Sequence, residues 1–128
     1  MPTITRRIRF SNLERTATAE ADAVVDTDAT FCQIPADMAE RLDLVPYGYR
    51  RLRMANGQIA EYGIANALVE LVDQGETVAS AVAIGGPTAA VLLGVDALDA
   101  FGLGIDTDGR RLIPKVGDLL LQTGWPTL

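Results

Sequence analysis

Two carboxylates lie two residues apart where an apolar segment ends. Asp26 and Asp28 belong to residues 26–30 (DTDAT), which follow the apolar residues 23–25. A carboxylate next to an apolar core must be hydrogen-bonded, paired with a cation or protonated, so this pair suits general acid–base chemistry. The same residue types are typical of an Asx turn, in which carboxylates accept backbone N–H bonds. Residue types alone slightly favour the turn, and both interpretations stay open at this point.

The composition excludes most other catalytic chemistries. The 128 residues contain no histidine and a single cysteine, Cys32. Ser-His and Cys-His catalysis, a histidine-ligated zinc site and an internal disulfide are therefore excluded. The carboxylates, three tyrosines, Lys115 and Cys32 remain for proton transfer. Because Phe31 and Ile34 are apolar and no cation is near in sequence, Cys32 is predicted to be a small core residue.

Charge and hydropathy restrict the partners. A formal net charge of −6 disfavours nucleic acid or an anionic membrane surface as the main partner. Residues 1–10 lack the apolar core of a signal peptide, and no apolar run reaches the roughly 18 residues of a membrane span. Arg50, Arg51 and Arg53 form the densest basic cluster, which is either a solvated strand face or a contact for an acidic peptide substrate. We expect a cytoplasmic protein that binds neither membrane nor nucleic acid.

The other loop motifs are weaker candidates for a site. Residues 106–109 (DTDG) partly repeat the letters of residues 26–29, but they are predicted to form a solvated hairpin turn. Calcium binding there is disfavoured because no glutamate follows at the required spacing. Residues 85–88 (GGPT) lack the Gly-Lys-Ser/Thr of a phosphate-binding loop and are interpreted as a structural turn. No ligand spacing indicates a metal site, so neither a metal nor another cofactor is expected.

The apolar pattern predicts short strands. Along residues 15–25, alanines alternate with polar residues, which is typical of a half-buried strand. Asn56-Gly57 is the strongest hairpin signal, since the type I′ turn that it favours needs positive φ at both positions. Pro35 is predicted to be the first residue of a helix. Strands are predicted over residues 4–10, 15–25, 31–34, 50–55, 58–72, 78–84, 89–93, 103–105 and 111–113, and helices over residues 35–42 and 95–101.

These elements indicate a mostly β domain, either a barrel or a sandwich. At this length the chain is expected to form one domain over residues 1–128. The patterned core covers about residues 4–114, and the tail over residues 115–128 is weakly patterned.

Four segments together resemble the retropepsin-like (clan AA) aspartic proteases, in particular the bacterial single-domain members. Residues 23–35 (AVVDTDATFCQIP) are similar to the segment in which two apolar residues precede Asp-Thr-Gly-Ala-Thr. Residues 35–44 (PADMAERLDL) are similar to the helix that follows it. Residues 50–63 (RRLRMANGQIAEYG) occupy the place of the flap. Residues 84–98 (IGGPTAAVLLGVDAL) resemble the segment that supports the active site from below.

The resemblance implies a closed, mostly β acid-protease barrel with two short helices, which works as a homodimer on a peptide or protein substrate. Asp26 of each chain would pair across a two-fold axis, share one proton and activate water. The implied supporting residues are Thr27, Asp28, Ala29, Thr30 and Gly94. The implied flap residues, which would contact the substrate, are Ala55, Asn56, Gly57 and Gln58.

Asp28 departs from the family pattern, which has glycine at this position. A side chain here competes with the substrate backbone, and four carboxylates around one dimer axis cannot all stay ionised in a shielded cleft. Asp28 is therefore expected to make the protein either a weak protease active in acid or a catalytically silent dimer. In the second case the fold would serve as a dimerisation or peptide-binding module that holds an extended peptide by strand addition.

Overall fold

The computed structural model of this chain describes residues 3–106, 108–109 and 111–119. Nine strands and two short helices lie within them. The strands are β1 (Thr5–Ser11), β2 (Thr18–Val25), β3 (Cys32–Pro35), β4 (Gly48–Arg53), β5 (Ile59–Leu71), β6 (Glu76–Gly85), β7 (Leu92–Leu93), β8 (Leu103–Ile105) and β9 (Leu112–Pro114), and the helices are α1 (Ala36–Arg41) and α2 (Val95–Phe101).

Six of the described strands close a ring. Hydrogen bonds join them in the order β1-β2-β7-β3-β6-β5, and β5 pairs again with β1. The closing pair is antiparallel and places Ile8 opposite Leu71 and Ser11 opposite Leu68. In the described part of the chain β4 pairs with β5 alone, so its outer edge is free. The closed, mostly β fold with two short helices that the sequence predicts is confirmed.

The alternating pattern of β2 packs small side chains against large ones. Ala21 lies opposite Ile8 and Ala19 opposite Phe10, both of which are fully buried on β1. The polar residues between the alanines are exposed. A small residue opposite a large one keeps the core densely packed, because two large residues opposite each other would force the strands to deform.

β2 begins later than predicted because Asn12 fixes the turn before it. Asn12 is buried, and its Nδ2 donates to Thr16 Oγ1 at 2.8 Å and to Leu42 O at 3.0 Å. Its Oδ1 accepts from Thr16 N at 2.9 Å. The turn also holds Arg15 at a φ of 60°, a conformation that is costly for a residue with a Cβ. Asn12 thereby ties the β1–β2 turn to the end of α1.

Pro35 precedes α1 and is not its first helical residue. It has extended backbone angles, φ −71° and ψ 158°, and lies opposite Gly85 as the last residue of β3. The prediction of Pro35 as the first helical residue is therefore wrong, because the strand pairing holds it extended. α1 covers Ala36–Arg41, with Asp37 in its first turn and Arg41 in its last.

The β4–β5 hairpin has a different turn from the predicted one. Gly57 has a φ of 87°, whereas Asn56 does not have positive φ. Gly57 N donates to Met54 O at 2.9 Å, and Met54 N donates to Gln58 O at 2.7 Å. This is the geometry of a type I turn followed by a left-handed residue. The type I′ prediction is wrong because a three-residue loop needs positive φ only at its last position.

The last described residues, 115–119, are exposed. Lys115 N donates to Gly102 O at 2.8 Å, which joins this segment to the end of α2. Residues 120–128, the remainder of the predicted tail, lie outside the described residues. None of the described helices has the length and apolarity that crossing a membrane requires.

Candidate active site

Backbone pairing fixes Asp26 at the end of β2. Val25 N donates to Ile4 O at 2.9 Å, and Asp26 N donates to Leu93 O at 3.0 Å. β2 and β7 are parallel, with Val25 opposite Leu93. Leu93 and Val25 are both buried, so the strand end that carries Asp26 is anchored in the core.

Residues 26–30, which we call the motif loop, form an Asx turn. Asp28 N donates to Asp26 Oδ1 at 3.0 Å, and Ala29 N donates to Asp26 O at 3.2 Å. The Asp26 side chain has no second hydrogen-bond partner among the described residues. Asp26 itself is half-buried, whereas Thr27, Asp28 and Thr30 are exposed. The turn therefore orients one carboxylate oxygen of Asp26 and leaves the other available.

The start of α2 holds the motif loop from below. Val95 N donates to Ala29 O at 2.8 Å, and Asp96 N donates to Thr30 O at 3.0 Å. The first N–H groups of a helix have no partner inside the helix, and no side chain caps α2. The loop carbonyls supply the missing acceptors. The site and the helix therefore stabilise each other.

Gly94 allows this close approach. A Cβ at Gly94 would lie 2.5 Å from the carbonyl carbon of Phe31 and 3.0 Å from Ala29 O, both of them backbone atoms. Contacts this short are not tolerated, so the loop and the helix would have to separate. The resemblance implied that Gly94 supports the motif, and Gly94 does lie directly against the motif loop. Its part in catalysis stays a prediction.

The two groups of predicted site residues lie in separate elements. Thr27, Asp28, Ala29 and Thr30 share the motif loop with Asp26, and Gly94 lies directly beneath it. The four flap residues are exposed at the tip of the β4–β5 hairpin, and none has a hydrogen bond to the motif loop; they are Ala55, Asn56, Gly57 and Gln58. Asn56 Oδ1 accepts from Gln58 N at 2.9 Å, which stiffens the tip.

Sequence reasoning missed the backbone donors of Val95 and Asp96. One signal was present in the sequence. The helix was expected to start just after Gly94, and glycine offers no side-chain oxygen for the first N–H groups. A helix start without a capping side chain must find its acceptors in another segment of the chain.

Cys32 and the DTDG segment belong to the structural part of the molecule. Cys32 is fully buried, as predicted, and this burial raises the pKa of its thiol. Asp106 accepts a hydrogen bond from Arg111 Nε at 3.1 Å, and Gly109, with a φ of 68°, donates to Asp106 O. β8 and β9 pair as an antiparallel hairpin, as predicted, and Thr107 of the DTDG segment lies outside the described residues.

The family assignment comes from a family model described as "gag-polyprotein putative aspartyl protease". It matches residues 16–100 of this chain, a span that includes the motif loop, the β4–β5 hairpin and Gly94. No curated protein sequence matches the chain.

A solved structure shows the same fold. The EIAV protease complexed with the inhibitor HBY-793 superposes with a TM-score of 0.53 at 15% sequence identity. The match covers 79% of this chain and 89% of that chain. The fold and the family model agree, and this chain belongs to the retropepsin-like aspartyl protease family.

Proposed function

We propose that this protein is an aspartic endopeptidase that works as a homodimer, with one Asp26 from each protomer. The observation that carries the proposal is the state of Asp26. It is half-buried and fixed at a strand end, and its side chain accepts a single hydrogen bond from the described residues, that of Asp28 N to Oδ1. A carboxylate with one oriented and one available oxygen can take a proton from water or give one to a substrate.

The chemistry needs two carboxylates, and each chain supplies one motif loop. In a two-fold dimer the two Asp26 side chains would face each other and share a single proton. The ionised carboxylate would activate water, and the neutral one would protonate the carbonyl oxygen of the scissile bond. The exposure of Thr27 and Asp28 supports this arrangement, because residues that meet at a dimer axis are exposed to solvent when a protomer is considered without its partner.

The β4–β5 hairpin would cover the bound peptide. Its tip is exposed, and the left-handed Gly57 lets the chain reverse there without the strain that a Cβ would add. A hairpin that closes over a peptide excludes water from the reacting bond and positions the peptide.

The experiment is cleavage of a fluorogenic peptide library by the wild type, by Asp26→Asn and by Asp108→Asn. Asp108 is exposed in the DTDG turn and provides the same chemical change away from the site. We expect Asp26→Asn to lose at least about a hundredfold in rate, since a positioned acid or base contributes about 10² to 10⁴. Asp108→Asn should cleave like the wild type. Equal cleavage by Asp26→Asn would refute the aspartic mechanism.

A second candidate is a catalytically silent peptide-binding or dimerisation module, and Asp28 favours it. Its side chain is exposed beside Asp26, where the family pattern has glycine. If the module is silent because of Asp28, the wild type has no activity and Asp28→Gly gains it. If both proteins are inactive while sedimentation shows a stable dimer, the peptidase proposal fails and the module remains.

A further inference from the structure

The outer edge of β4 is an open strand edge. In the described part of the chain β4 pairs only with β5, so the backbone groups along its other side have no strand partner. Six residues, Gly48–Arg53, form this edge. An open edge of this kind is a template on which another extended chain can pair.

The arginines of β4 have no acidic partners in the described part of the chain, unlike those of β1. Each of the three β1 arginines forms an ion pair with an acidic side chain at 2.6–3.2 Å; they are Arg6, Arg7 and Arg9. Arg51 and Arg53 form no ion pair with any described residue, although Glu61 lies opposite Arg51 in the sheet. Among the same residues, the Arg50 side chain donates only to the carbonyl of Tyr49, at 2.9 Å. The described residues therefore leave these positive charges uncompensated, in a chain whose net charge is −6.

The alternation of a strand distributes these side chains over both faces. Tyr49, Arg51 and Arg53 lie on one face, and Arg50 lies on the other with Leu52. A strand added to this edge would alternate in the same way. Acidic side chains two residues apart in that strand would therefore reach Arg51 and Arg53 together. Tyr49, which is 60% exposed, offers an aromatic surface beside them.

We propose that the outer edge of β4 binds an extended acidic peptide segment by strand addition, at a site separate from Asp26. A second copy of this chain fits less well, because antiparallel pairing of β4 with itself would bring arginines close to arginines. A nucleic acid also fits less well, because a sugar–phosphate backbone cannot continue the N–H to C=O pairing of a strand edge. A row of main-chain groups without a strand partner is complementary to another peptide backbone.

The test uses the full chain carrying Asp26→Asn, so binding is measured without cleavage. Its outcome is therefore independent of the proposed peptidase activity. The probe is a short fluorescein-labelled peptide in which Glu alternates with Thr, and its counterpart has Lys in place of Glu. Fluorescence anisotropy should show the Glu peptide binding at least about tenfold more tightly than the Lys peptide, with an affinity that falls as salt rises.

A paired substitution locates the site. Arg51→Gln with Arg53→Gln should weaken binding of the Glu peptide about tenfold or more. Arg15→Gln with Arg41→Gln removes the same charge from two exposed arginines that form no ion pair in the described part of the chain, and should leave binding nearly unchanged. Undiminished binding by the first variant would place the peptide elsewhere and overturn the proposal.

Two further probes test the chemistry of the partner. Methylating alternate backbone nitrogens of the Glu peptide should abolish binding, because strand addition needs its N–H groups. Unchanged binding of the methylated peptide would refute strand addition. Equal binding of the Lys peptide, or tighter binding of a labelled single-stranded oligonucleotide, would refute an acidic peptide as the partner.

Discussion

The carboxylate of Asp26 accepts the hydrogen bond of an Asx turn and remains available for chemistry. Its Oδ1 accepts the N–H of Asp28, and its other oxygen has no hydrogen-bond partner among the described residues. The two interpretations of DTDAT, an Asx turn and an acid–base site, are therefore compatible. The turn restricts the rotation of the side chain, and restricted orientation is what a positioned acid or base requires.

Gly94→Ala should destabilise the protein strongly. Its Cβ would contact the backbone of Phe31 and Ala29, which cannot move without separating α2 from the motif loop. We expect the free energy of unfolding to fall by about 2–4 kcal/mol, near the upper part of the range for overpacked sites. The measurement is urea denaturation followed by circular dichroism.

Gly86→Ala is the matched control for this substitution. A Cβ at Gly86 would meet no atom within 4 Å, and its φ is not positive. The free energy of unfolding of the Gly86→Ala variant should stay within about 0.5 kcal/mol of the wild-type value. If Gly94→Ala were equally harmless, the close approach of α2 and the motif loop would not be required for stability.

Among the elements, β1 and β2 are joined by an ionic ladder on their exposed face. Glu20 accepts from Arg9 Nη2 at 2.6 Å and from Arg7 Nε at 3.2 Å. The hydrogen bonds from Arg9 and Arg7 lower the pKa of Glu20 below its ordinary value. A carboxylate whose pKa is lower in the folded state stabilises the fold above its unfolded pKa, and this contribution is lost as pH falls through the folded pKa.

Glu20→Gln should therefore lower the melting temperature slightly at pH 7 and have no effect in strong acid. The decrease in melting temperature should shrink as the pH falls below 4.5, the ordinary pKa of a glutamate. It should also shrink at high salt, since the ladder is exposed. Glu14→Gln is the control, because Glu14 is exposed and forms no ion pair with the described residues. A melting difference that persists unchanged at low pH would contradict this account.

The sequence predicted the elements better than their ends. Alternation along residues 18–25 was sufficient for β2, because every second residue from Ala19 to Ala23 is an alanine that packs against the core. The late start of β2 was not predicted, because the hydrogen bond from Asn12 to Leu42 O depends on a segment far along the chain. Residues 89–93 were predicted as a strand, yet the strand covers only Leu92–Leu93, which pair with β2 and β3. Strand ends are set by neighbours, which a local pattern does not contain.

The candidate site was also predicted only in part, since its side chains could be identified and its backbone groups could not. Asp26 and Gly94 were identified from the sequence because the family motif fixes their residue types. The N–H groups of Val95 and Asp96 were not, since a backbone donor has no residue type to recognise. The positions of Asn56 and Gly57 at the flap tip were predicted, whereas the turn type was wrong because it depends on where the last strand pair, Arg53 with Ile59, closes.

At the scale of the whole molecule, the proposed dimer should be weakened by the charge of Asp28. Two Asp28 side chains near a two-fold axis would bring like charges together, and like charges repel. We expect the dimer dissociation constant of Asp28→Asn to be on the order of tenfold lower than that of the wild type at low salt. Sedimentation velocity at a series of concentrations measures it.

Asp28→Asn keeps the size of the side chain and removes its charge, so its difference from the wild type should shrink at high salt. Asp108→Asn should dimerise like the wild type, because Asp108 lies in the exposed turn between β8 and β9. Equal dimer strength of Asp28→Asn and the wild type would mean that the Asp28 side chains are not close to the axis.

The hydrogen bonds that hold the motif loop imply that it takes its final shape late relative to the synthesis of Asp26. The ribosome adds Leu93, Val95 and Asp96, whose backbone groups hold the loop, almost seventy residues after Asp26. A nascent chain that has not yet passed Asp96 lacks the partners that shape this loop. The growing polypeptide therefore carries Asp26 without its final geometry while the intervening residues are added. If the proposed activity is correct, a nascent chain cannot cleave its neighbours before Asp96 has been added.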